Sequence, residues 1–450
     1  MFRTSQNEIL NGSIVKAILF FFFPILIGSF FQQIYSTVDA IIVGQFVGVD
    51  ALAAVGGTPA VLSNLFIQFA LGIASGASVV ISNAYGENNH DKMSKAIHSG
   101  MTLSIILGIG ISGITIIFAK DILMLLKVND ELMKVSLQYF QIIMAGFTFT
   151  LIYNMATGVL RAVGDTKRPL YFLIISCILN IILDIIFVLV FKLAIVGVAV
   201  ATIISQAISA ILTIYCLTNS NTMYHLDLRK LRLDKHITLS IIKIGLPAGL
   251  QSVMYSLSNL IIERSINLLG TNYVAAWSAY SKIDPIFWNM IGAFGVSMTT
   301  FSAQNYGARN YKRIKKGVTI TMIITAICSI LLSVCMYQFA SYIYLLFTTD
   351  VNVILIGVDI LKFLVPFYIV FIPIEILAAA LRGVNDAIVP VVITGVGVCL
   401  LRVVWILAVA NKIGDMKSIL MCYPITWITT SILFFIYYYI YKAMDKRITD

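Results

Sequence analysis

The sequence predicts an all-α polytopic membrane protein with twelve transmembrane helices, in two parallel six-helix bundles related by pseudo-twofold symmetry. Of its 450 residues, 59% are hydrophobic and only 12% are charged. Soluble domains carry about 25% charged residues, so this composition excludes the soluble classes. Apolar stretches long enough to cross a bilayer as helices recur along the chain, and motifs of the first half return in the second.

The apolar stretches give twelve predicted spans, which are residues 14–44, 51–83, 96–119, 132–160, 169–191, 194–217, 237–269, 273–304, 317–347, 353–381, 387–410 and 418–441. The N-terminus is polar and shows no cleavable signal pattern, so the first span is expected to stay. A polar stretch follows the sixth span. We therefore expect an N-terminal bundle at 1–218, a cytoplasmic linker at 219–236 and a C-terminal bundle at 237–450.

Two motifs show that the halves are repeats. The stretch LRAVGDTKRP at 160–169 returns as LRGVNDAIVP at 381–390, and AYGENNHDKMSK at 84–95 returns as NYGARNYKRIKK at 305–316. Both pairs are 221 positions apart, and Pro24 returns as Pro247 at nearly the same offset. Six spans per half give both halves the same orientation, which predicts a central cavity between two bundles.

The repeated motifs also carry polar residues beside predicted turns. Asp165 and Asp386 are expected to cap a turn, and Gly86 and Gly307 are expected to be turn residues. We interpret all four as structural rather than substrate-binding.

The charge distribution indicates a membrane protein rather than a nucleic-acid-binding one. The net charge is +10, but the basic residues cluster in alternate short loops, as the positive-inside rule requires. These clusters comprise Arg229, Lys230, Arg232, Lys235 and Lys243 in one loop, and Arg309, Lys312, Arg313, Lys315 and Lys316 in another. An even number of spans places both termini on one side. Arg3 and Lys16 at the start, with Lys442, Lys446 and Arg447 at the end, put that side in the cytoplasm of a cell-membrane protein.

Cysteine and histidine give no indication of a metal centre. The six cysteines lie scattered in apolar segments without metal-ligand spacing, and the four histidines lie in or beside predicted loops. We expect no cofactor and no metal beyond a coupling Na⁺. There is also no Gly-rich phosphate loop that would indicate ATP use.

The first span carries a polar face that ends in a carboxylate. Gln32, Tyr35 and Asp39 are spaced three and four residues apart, so they share one side of a helix. A carboxylate at membrane depth costs on the order of 3 kcal/mol on insertion scales, which favours a function over a satisfied structural acid. Pro24 lacks a backbone N–H and is predicted to be a hinge. A bendable helix with a buried acid is typical of an ion-coupled transporter.

Two later spans of the first half add polar groups at helical spacing. Asn180 and Asp184 lie one turn apart in the fifth span, and Thr202 and Gln206 lie one turn apart in the sixth. Oxygen-rich surroundings of this kind suit H⁺ or Na⁺. With Asp39 they make a candidate cation site, although separate segments do not prove proximity.

The second half does not copy this acidic pattern. Tyr255, Asn259 and Glu263 share one face of the seventh span with Ser252, and further charges are Lys282, Asp284, Glu375 and Arg402. Lys282 and Asp284 could neutralise each other, or Glu263 could take part. For Glu263 and Glu375, a ligand-facing role and a structural ion pair stay open. Pro366 and Pro373 predict an irregular, cavity-lining tenth span.

Polar and aromatic side chains give a candidate substrate cavity. Aromatic faces with a few carboxylates favour lipophilic cations. The candidate cavity residues are Gln32, Tyr35, Tyr139, Asn154, Gln206, Tyr255, Asn259, Glu263 and Glu375, with Trp288 as a further aromatic.

Taken together, the motifs QQIYSTVDAIIVG, NIILD at 180–184, ATIISQ at 201–206 and the repeated Leu-Arg stretches resemble the multidrug and toxic compound extrusion (MATE) family, nearest to its Gram-positive drug-efflux branch. The resemblance implies antiport of diverse, often cationic drugs and dyes against H⁺ or Na⁺ by alternating access. It also implies that Asp39, Asn180, Asp184 and Thr202 form the cation-coupling site. A second-half cation site is in doubt, because Glu263 matches a family glutamate but no aspartate matches its partner.

Two other functions fit this sequence less well. A lipid-linked oligosaccharide flippase of the same superfamily usually has more spans and a strongly cationic cavity, whereas the first half here is acidic. A membrane prenyltransferase would need paired Asp-rich Mg²⁺ motifs. We therefore expect a transporter rather than an enzyme, acting as a monomer in the lipid bilayer on small molecules, with no nucleic-acid partner.

Overall fold

The computed structural model describes residues 9–48, 51, 55–220 and 222–440, and helices make up nearly all of this part of the chain. Twelve helical elements of the described residues follow the predicted spans. They are α1 (Ile14–Phe46), α2 (Thr58–Gly86), α3 (His90–Ile117), α4 (Asp130–Ala145 and Phe147–Ala162), α5 (Lys167–Val190), α6 (Ala194–Thr218), α7 (Lys235–Asn267), α8 (Thr271–Ile283 and Pro285–Gly307), α9 (Tyr311–Gln338), α10 (Val351–Gly383), α11 (Ile388–Ile413) and α12 (Met416–Ile440).

Ten helices of the described chain are long and apolar enough to cross a membrane, and α4 makes eleven if its two pieces, bent by 41°, are one span. The remaining predicted span, α8, is helical over the expected residues but is interrupted at Asp284. Pro285 follows the break, and its missing backbone N–H is tolerated at the first position of a helix. The predicted irregularity of α10 is confirmed, because Val365–Phe367 forms a 3₁₀ turn and Pro373 lies inside the helix.

The internal repeat is visible in the backbone. The bounds of α1 and α7 are 221 positions apart, and both helices contain 33 residues with one interior proline. Left-handed backbone recurs at the same offset, at Asn88 (φ 54°) and Arg309 (φ 56°). Gly86 and Gly307 were predicted to be the turn residues, but they end α2 and α8. The left-handed turn residues, Asn88 and Arg309, follow two positions later.

The Leu-Arg motifs form a second repeated turn, with positive φ at Gly164 and Asn385. Asp165 accepts a hydrogen bond from the backbone N–H of Arg168 at 3.1 Å, as a turn cap does, and pairs with its guanidinium at 3.0 Å. The corresponding Asp386 accepts a hydrogen bond from the Tyr437 hydroxyl at 2.6 Å. Asp165 thus caps its turn as the sequence predicts, whereas the hydrogen bond of Asp386 joins its turn to α12.

Contacts gather the described chain into two compact units. The first unit holds residues 23–249, and the second holds residues 9–22 and 250–440. Both boundaries fall inside helices, in α1 just before Pro24 and in α7 just after Pro247. The bundles 1–218 and 237–450 stay a proposal based on the sequence.

In the first unit, α2 and the first half of α7 cross through glycines. Gly72 and Gly76 on α2 face Gly245 and Gly249 on α7. A Cβ at Gly72 would overlap the backbone of Gly249, and a Cβ at Gly245 would lie 2.8 Å from the Cα of Ile73. Small residues spaced four apart let two membrane helices approach backbone to backbone, which is how this crossing forms.

The chain entering α7 is held by α3. The Nε2 atom of His98 accepts the backbone N–H of Asp227 at 3.1 Å, and its Nδ1 atom donates to the Ser94 carbonyl at 2.7 Å. The Ser99 hydroxyl accepts the backbone N–H of Asp234 at 2.9 Å. The backbone N–H of Ile237 lowers the pKa of the Asp234 carboxyl, which caps the start of α7.

The chain entering α1 is held in an analogous way in the second unit. The guanidinium of Arg313, near the start of α9, donates to the Ile9 carbonyl at 2.9 Å and to the Gly12 carbonyl at 2.6 Å. Asn305 adds a longer bond to the Ile9 carbonyl at 3.5 Å. The repeat has therefore kept a function, the holding of a helix entry, while changing the residues that perform it.

Candidate functional site

The two acids and the amide predicted for the cation site lie together in the first unit. Asp39 on α1 is 7% exposed, and Asn180 and Asp184 on α5 are 1% and 0% exposed. The surrounding acceptors fix the orientation of the Asn180 amide, since only its nitrogen can donate to carboxylates. It donates to Asp39 Oδ1 at 3.0 Å and to Asp184 Oδ2 at 3.3 Å. The structure therefore joins two segments that are 141 positions apart between Asp39 and Asn180.

The carboxyl groups of Asp39 and Asp184 are close neighbours, because both accept a hydrogen bond from the one Asn180 nitrogen. Two ionised carboxylates held side by side repel, so the arrangement favours the binding of a proton or another cation. The Oδ1 atom of Asp184 is buried and has no hydrogen-bond partner among the described residues. A buried acceptor without a partner is costly, and it marks a position where a cation can be held.

Thr202 on α6 joins the site through a hydrogen bond with Tyr35 of α1. The Tyr35 hydroxyl donates to Thr202 Oγ1 at 3.4 Å, and the Thr202 hydroxyl in turn donates to the Val198 carbonyl at 3.0 Å. Tyr35 lies on the same face of α1 as Asp39, one turn earlier, and the two interact electrostatically. All four predicted coupling residues thus belong to one cluster, which we name the acidic cluster: Asp39, Asn180, Asp184 and Thr202, with Tyr35.

An apolar core positions the helices of the acidic cluster. Its members come from α1, α5 and α6 and include Ile42, Val43, Val188, Ile195 and Val198. Tyr139 of α4 packs against this core and interacts electrostatically with both Asp39 and Asp184. Because Ile42 and Val43 follow Asp39, and Val188 follows Asp184, by about one helical turn, the packing of this core sets the direction of the carboxylates.

The structure shows the burial of the other first-unit residues that were predicted to line the cavity. Gln32 is exposed and Asn154 is half-buried. Gln206 carries a buried Oε1 atom that has no hydrogen-bond partner among the described residues. Pro24 lies inside the continuous helix α1. No ligand geometry tests these residues, so their roles stay predictions.

In the second unit, Asp284 is surrounded by aromatic donors that the sequence analysis did not identify. Its Oδ1 atom accepts hydrogen bonds from the hydroxyls of Tyr280 at 2.9 Å and Tyr368 at 2.7 Å, and its Oδ2 atom accepts from Trp288 Nε1 at 2.6 Å. Lys282 is exposed. The suggested neutralisation of Asp284 by Lys282 is thus replaced by three neutral donors. Tyr280 and Trp288 lie one turn on either side of Asp284, a spacing that could have indicated them.

A second polar contact of this unit joins Arg402 on α11 to Asn259 on α7. Arg402 Nη1 donates to Asn259 Oδ1 at 2.9 Å, and the guanidinium lies 4.6 Å from the ring centre of Tyr423 on α12. Tyr255, also on α7, interacts electrostatically with both Arg402 and Glu375. The structure thereby brings three of the predicted second-half residues, Tyr255, Asn259 and Glu375, to one neighbourhood.

Glu263 and Glu375 differ in their surroundings. Glu263 is exposed, whereas Glu375 is half-buried with its Oε1 atom directly over the backbone of Gly295, where a Cβ would collide with it. The ion pairs of the described chain are Lys92–Glu87, Lys95–Asp91, Arg168–Asp165 and Lys230–Asp227. Neither glutamate is among them, but Glu375 interacts electrostatically with Arg382 from beyond ion-pair distance, so the ligand-facing and ion-pair roles of Glu375 both stay predictions.

Metal-ligating side chains do not cluster anywhere in the part of the chain that the structure describes, where groups of three or more His, Cys, Asp or Glu suited to a metal ion are absent. The acidic cluster has two carboxylates, one amide and one hydroxyl. This donor set suits a proton or a hard monovalent cation.

Comparisons with known proteins agree with the fold and the repeat. The probable multidrug resistance protein YoeA of Bacillus subtilis is 28% identical over 99% of this chain and 99% of its own length. An FAD transporter of Shewanella oneidensis is 26% identical over 94% and 93%. A crystal structure of a MATE protein in the bent conformation has a TM-score of 0.90 at 22% identity, covering 99% of this chain and 100% of that one. This similarity confirms the predicted all-helical membrane fold.

The family model described as MatE matches the chain twice, at residues 24–186 and 247–407, once in each half. The two matches begin at Pro24 and Pro247, the pair that the sequence repeat relates. They cover well over half of the chain and confirm the predicted resemblance. They also confirm the prediction of a transporter rather than an enzyme. The chain belongs to the MatE family of multi-pass membrane transporters.

Proposed function

We propose that this chain is a secondary active exporter that expels lipophilic, often cationic compounds in exchange for H⁺ or Na⁺ by alternating access. Membership in the MatE family and a relative named as a multidrug resistance protein support export of drug-like molecules. The acidic cluster supports ion coupling, because it brings two buried carboxylates of membrane-spanning helices onto one Asn180 nitrogen. We further propose a monomer in the cell membrane with both termini in the cytoplasm. Of the residues used for this orientation, Lys16 lies in α1, whereas Arg3, Lys442, Lys446 and Arg447 lie outside the described residues.

The Asn180 amide nitrogen shared by Asp39 and Asp184 is the observation that carries the ion proposal. Two neighbouring buried carboxylates raise each other's affinity for a proton, so we propose H⁺ ahead of Na⁺ as the coupling ion. When the proton leaves, the like charges separate and α1, which carries Asp39 and Pro24, is the helix that can move. Coupling follows only if proton and drug favour different states of the protein, because a ligand with equal affinity for both shifts nothing.

The test is efflux of a fluorescent lipophilic cation from proteoliposomes, with a pH gradient and a Na⁺ gradient imposed separately. We expect the pH gradient alone to drive efflux. Efflux driven by Na⁺ alone would reassign the ion and keep the antiport. A flavin compound is tested in parallel, because one relative is named as an FAD transporter.

One result of this assay would contradict the proposed antiport. If folded protein moves none of several such compounds under either gradient, multidrug antiport is wrong, and the lipid-linked oligosaccharide flippase becomes the better hypothesis. The control is protein with its gradients collapsed by an ionophore, which sets the passive leak of each dye.

A further inference from the structure

We propose that Arg402, Asn259 and Tyr423 form an anion-binding subsite in the second unit, which receives the carboxylate of a transported aromatic amphiphile. We name it the Arg402 subsite. The proposal deepens the export function and rests on it, since it assigns to the substrates a zwitterionic or anionic class beside the cations.

The Arg402 subsite uses the helices that correspond to those of the acidic cluster. At the offset of 221 positions, α7, α11 and α12 are the counterparts of α1, α5 and α6. Tyr423 is the counterpart of Thr202, Arg402 directly follows the counterpart of Asn180, and Asn259 directly precedes the counterpart of Asp39. The two halves thus contain the same three-helix arrangement with opposite charge, acidic in the first and cationic in the second.

Arg402 has a positive charge that the described protein leaves without a direct anionic partner. Its side chain is 3% exposed, one N–H group donates to Asn259, and its Nε atom is buried with no hydrogen-bond partner among the described residues. None of the ion pairs in the described chain includes it. A charge at membrane depth is costly, and such a residue is by default a candidate for function.

The acids near Arg402 are engaged elsewhere. Asp284 interacts with it electrostatically from beyond ion-pair distance, and its oxygens already accept three hydrogen bonds, from Tyr280, Tyr368 and Trp288. Glu375 lies against the backbone of Gly295. The neutral groups in contact with Arg402 are Asn259 and Tyr423, and Tyr255, Cys399 and Cys422 lie near enough to interact with it electrostatically. An incoming carboxylate would therefore find the guanidinium free of a competing direct ion pair.

The surroundings also fit an aromatic ligand that carries the carboxylate. Tyr423 stacks on Arg402 and lies 5.3 Å from Trp427 and 6.4 Å from Trp277 between ring centres. Asn259 is exposed, so a polar amide marks the approach to the buried guanidinium. A guanidinium binds a carboxylate through two parallel hydrogen bonds, and aromatic faces hold the attached ring system.

The backbone around Arg402 gives a further indication. The residue lies in Leu401–Trp405, a short α-helical piece of α11 between two π-helical segments, Gly395–Leu400 and Ile406–Ala410. Asp184 lies just before the π-helical segment Ile186–Val190 in the counterpart helix α5. Wide helical turns of this kind occur frequently at functional sites, so both halves place their buried charge beside such a turn.

The test compares a rhodamine dye that has a free benzoate with its methyl ester, which lacks only the negative charge. Binding to the purified full chain in detergent is measured by fluorescence anisotropy. We expect the wild type to bind both dyes. Arg402→Gln should weaken binding of the free acid by about tenfold or more and that of the ester by less than about twofold, because a charge-assisted hydrogen bond is lost only for the acid. Arg402→Lys should keep part of the difference, since it keeps the charge and loses the planar fork.

Two further variants keep the test decisive. Lys362→Gln removes an exposed cation that lies 5.3 Å over the Tyr337 ring in the same unit, and it should change neither dye. Asn259→Ala, at an exposed position, should weaken binding of the free acid several-fold even if Arg402→Gln fails to fold.

The outcomes separate the two proposals. A wild type that binds the ester but not the free acid overturns the Arg402 subsite and leaves the export proposal standing, whereas a wild type that binds neither dye contradicts both. Equal weakening of both dyes by Arg402→Gln, or no weakening, in protein with unchanged thermal unfolding also overturns the subsite.

Discussion

Asp39 shows at the scale of single residues why a buried acid in a membrane helix is informative. Its cost predicts a function from the sequence alone, but the number and identity of its neighbours come from the fold. Asn180 donates to both Asp39 and Asp184 and holds the two carboxyl groups in register. The helical spacing of Asn180 and Asp184 predicts their common face, whereas their contact with α1 depends on how α1 and α5 pack.

Asp39→Asn should abolish gradient-driven drug efflux while the protein still inserts and folds. The amide keeps the size of the side chain but cannot release or accept the coupling proton. Efflux from proteoliposomes, together with the amount of membrane-extracted folded protein, measures both parts of the prediction. Asp121→Asn, at an exposed acid of the same unit, is the matched control and should keep normal efflux. Wild-type efflux in Asp39→Asn would rule out its proposed role.

At the scale of helices, glycine decides how closely α2 and α7 approach in the first unit. The spacing of Gly72 with Gly76, and of Gly245 with Gly249, is visible in the sequence. Which other helix each pair faces is not, because many glycines of the chain have open space around them. Gly110, for example, has no atom within 4 Å of the position that a Cβ would occupy.

Gly72→Ala should lower the stability of the protein by about 1–3 kcal/mol, because its Cβ would overlap the Gly249 backbone, which cannot move aside as a side chain can. The measurement is thermal unfolding in detergent, monitored as the loss of monodisperse protein with rising temperature. Gly110→Ala is the matched control and should leave the unfolding temperature unchanged or slightly higher, since alanine restricts the unfolded chain. Equal behaviour of the two variants would contradict the close crossing.

The helix entries are a second feature at this scale. Arg313→Met should release the chain before α1, because two charge-assisted hydrogen bonds to the carbonyls of Ile9 and Gly12 are lost. We expect hydrogen exchange at the first turn of α1 to rise by about tenfold or more, as measured by mass spectrometry. Lys312→Met, at the exposed neighbouring position, removes the same charge and should leave exchange unchanged. Unchanged exchange in Arg313→Met would show that other contacts hold this segment.

At the scale of the whole molecule, the two compact units divide inside α1 and α7, close to Pro24 and Pro247. A proline inside a helix removes one backbone hydrogen bond and lowers the resistance to bending at that point. The corresponding positions of the two prolines indicate that both halves have such a point. We therefore expect Pro24 to act as a hinge in transport rather than as a binding residue.

Pro24→Ala should reduce the rate of gradient-driven efflux several-fold while leaving the affinity for a fluorescent substrate unchanged. The restored backbone hydrogen bond stiffens α1 but alters none of the side chains of the acidic cluster. Efflux rate and dye anisotropy on the same preparation measure the two quantities. Pro59→Ala is the control, because this proline lies at the start of α2, where no interior hydrogen bond is missing. A loss of affinity with normal efflux would make Pro24 a binding residue instead.

The sequence by itself determined the membrane class, the helical spans and the repeat, and its resemblance to a known family pointed to Asp39, Asn180, Asp184 and Thr202. Composition, apolar length and helical spacing act locally along the chain, so they can be read without a structure. Only the tertiary structure decided what these residues touch. It gave Asp284 three aromatic donors, placed Arg402 beside Asn259 and Tyr423, and divided α1 and α7 between two units. Contacts that the structure shows join residues as far apart in the sequence as Ile9 and Arg313, at 304 positions, and their choice depends on the packing of whole helices, which no local pattern specifies.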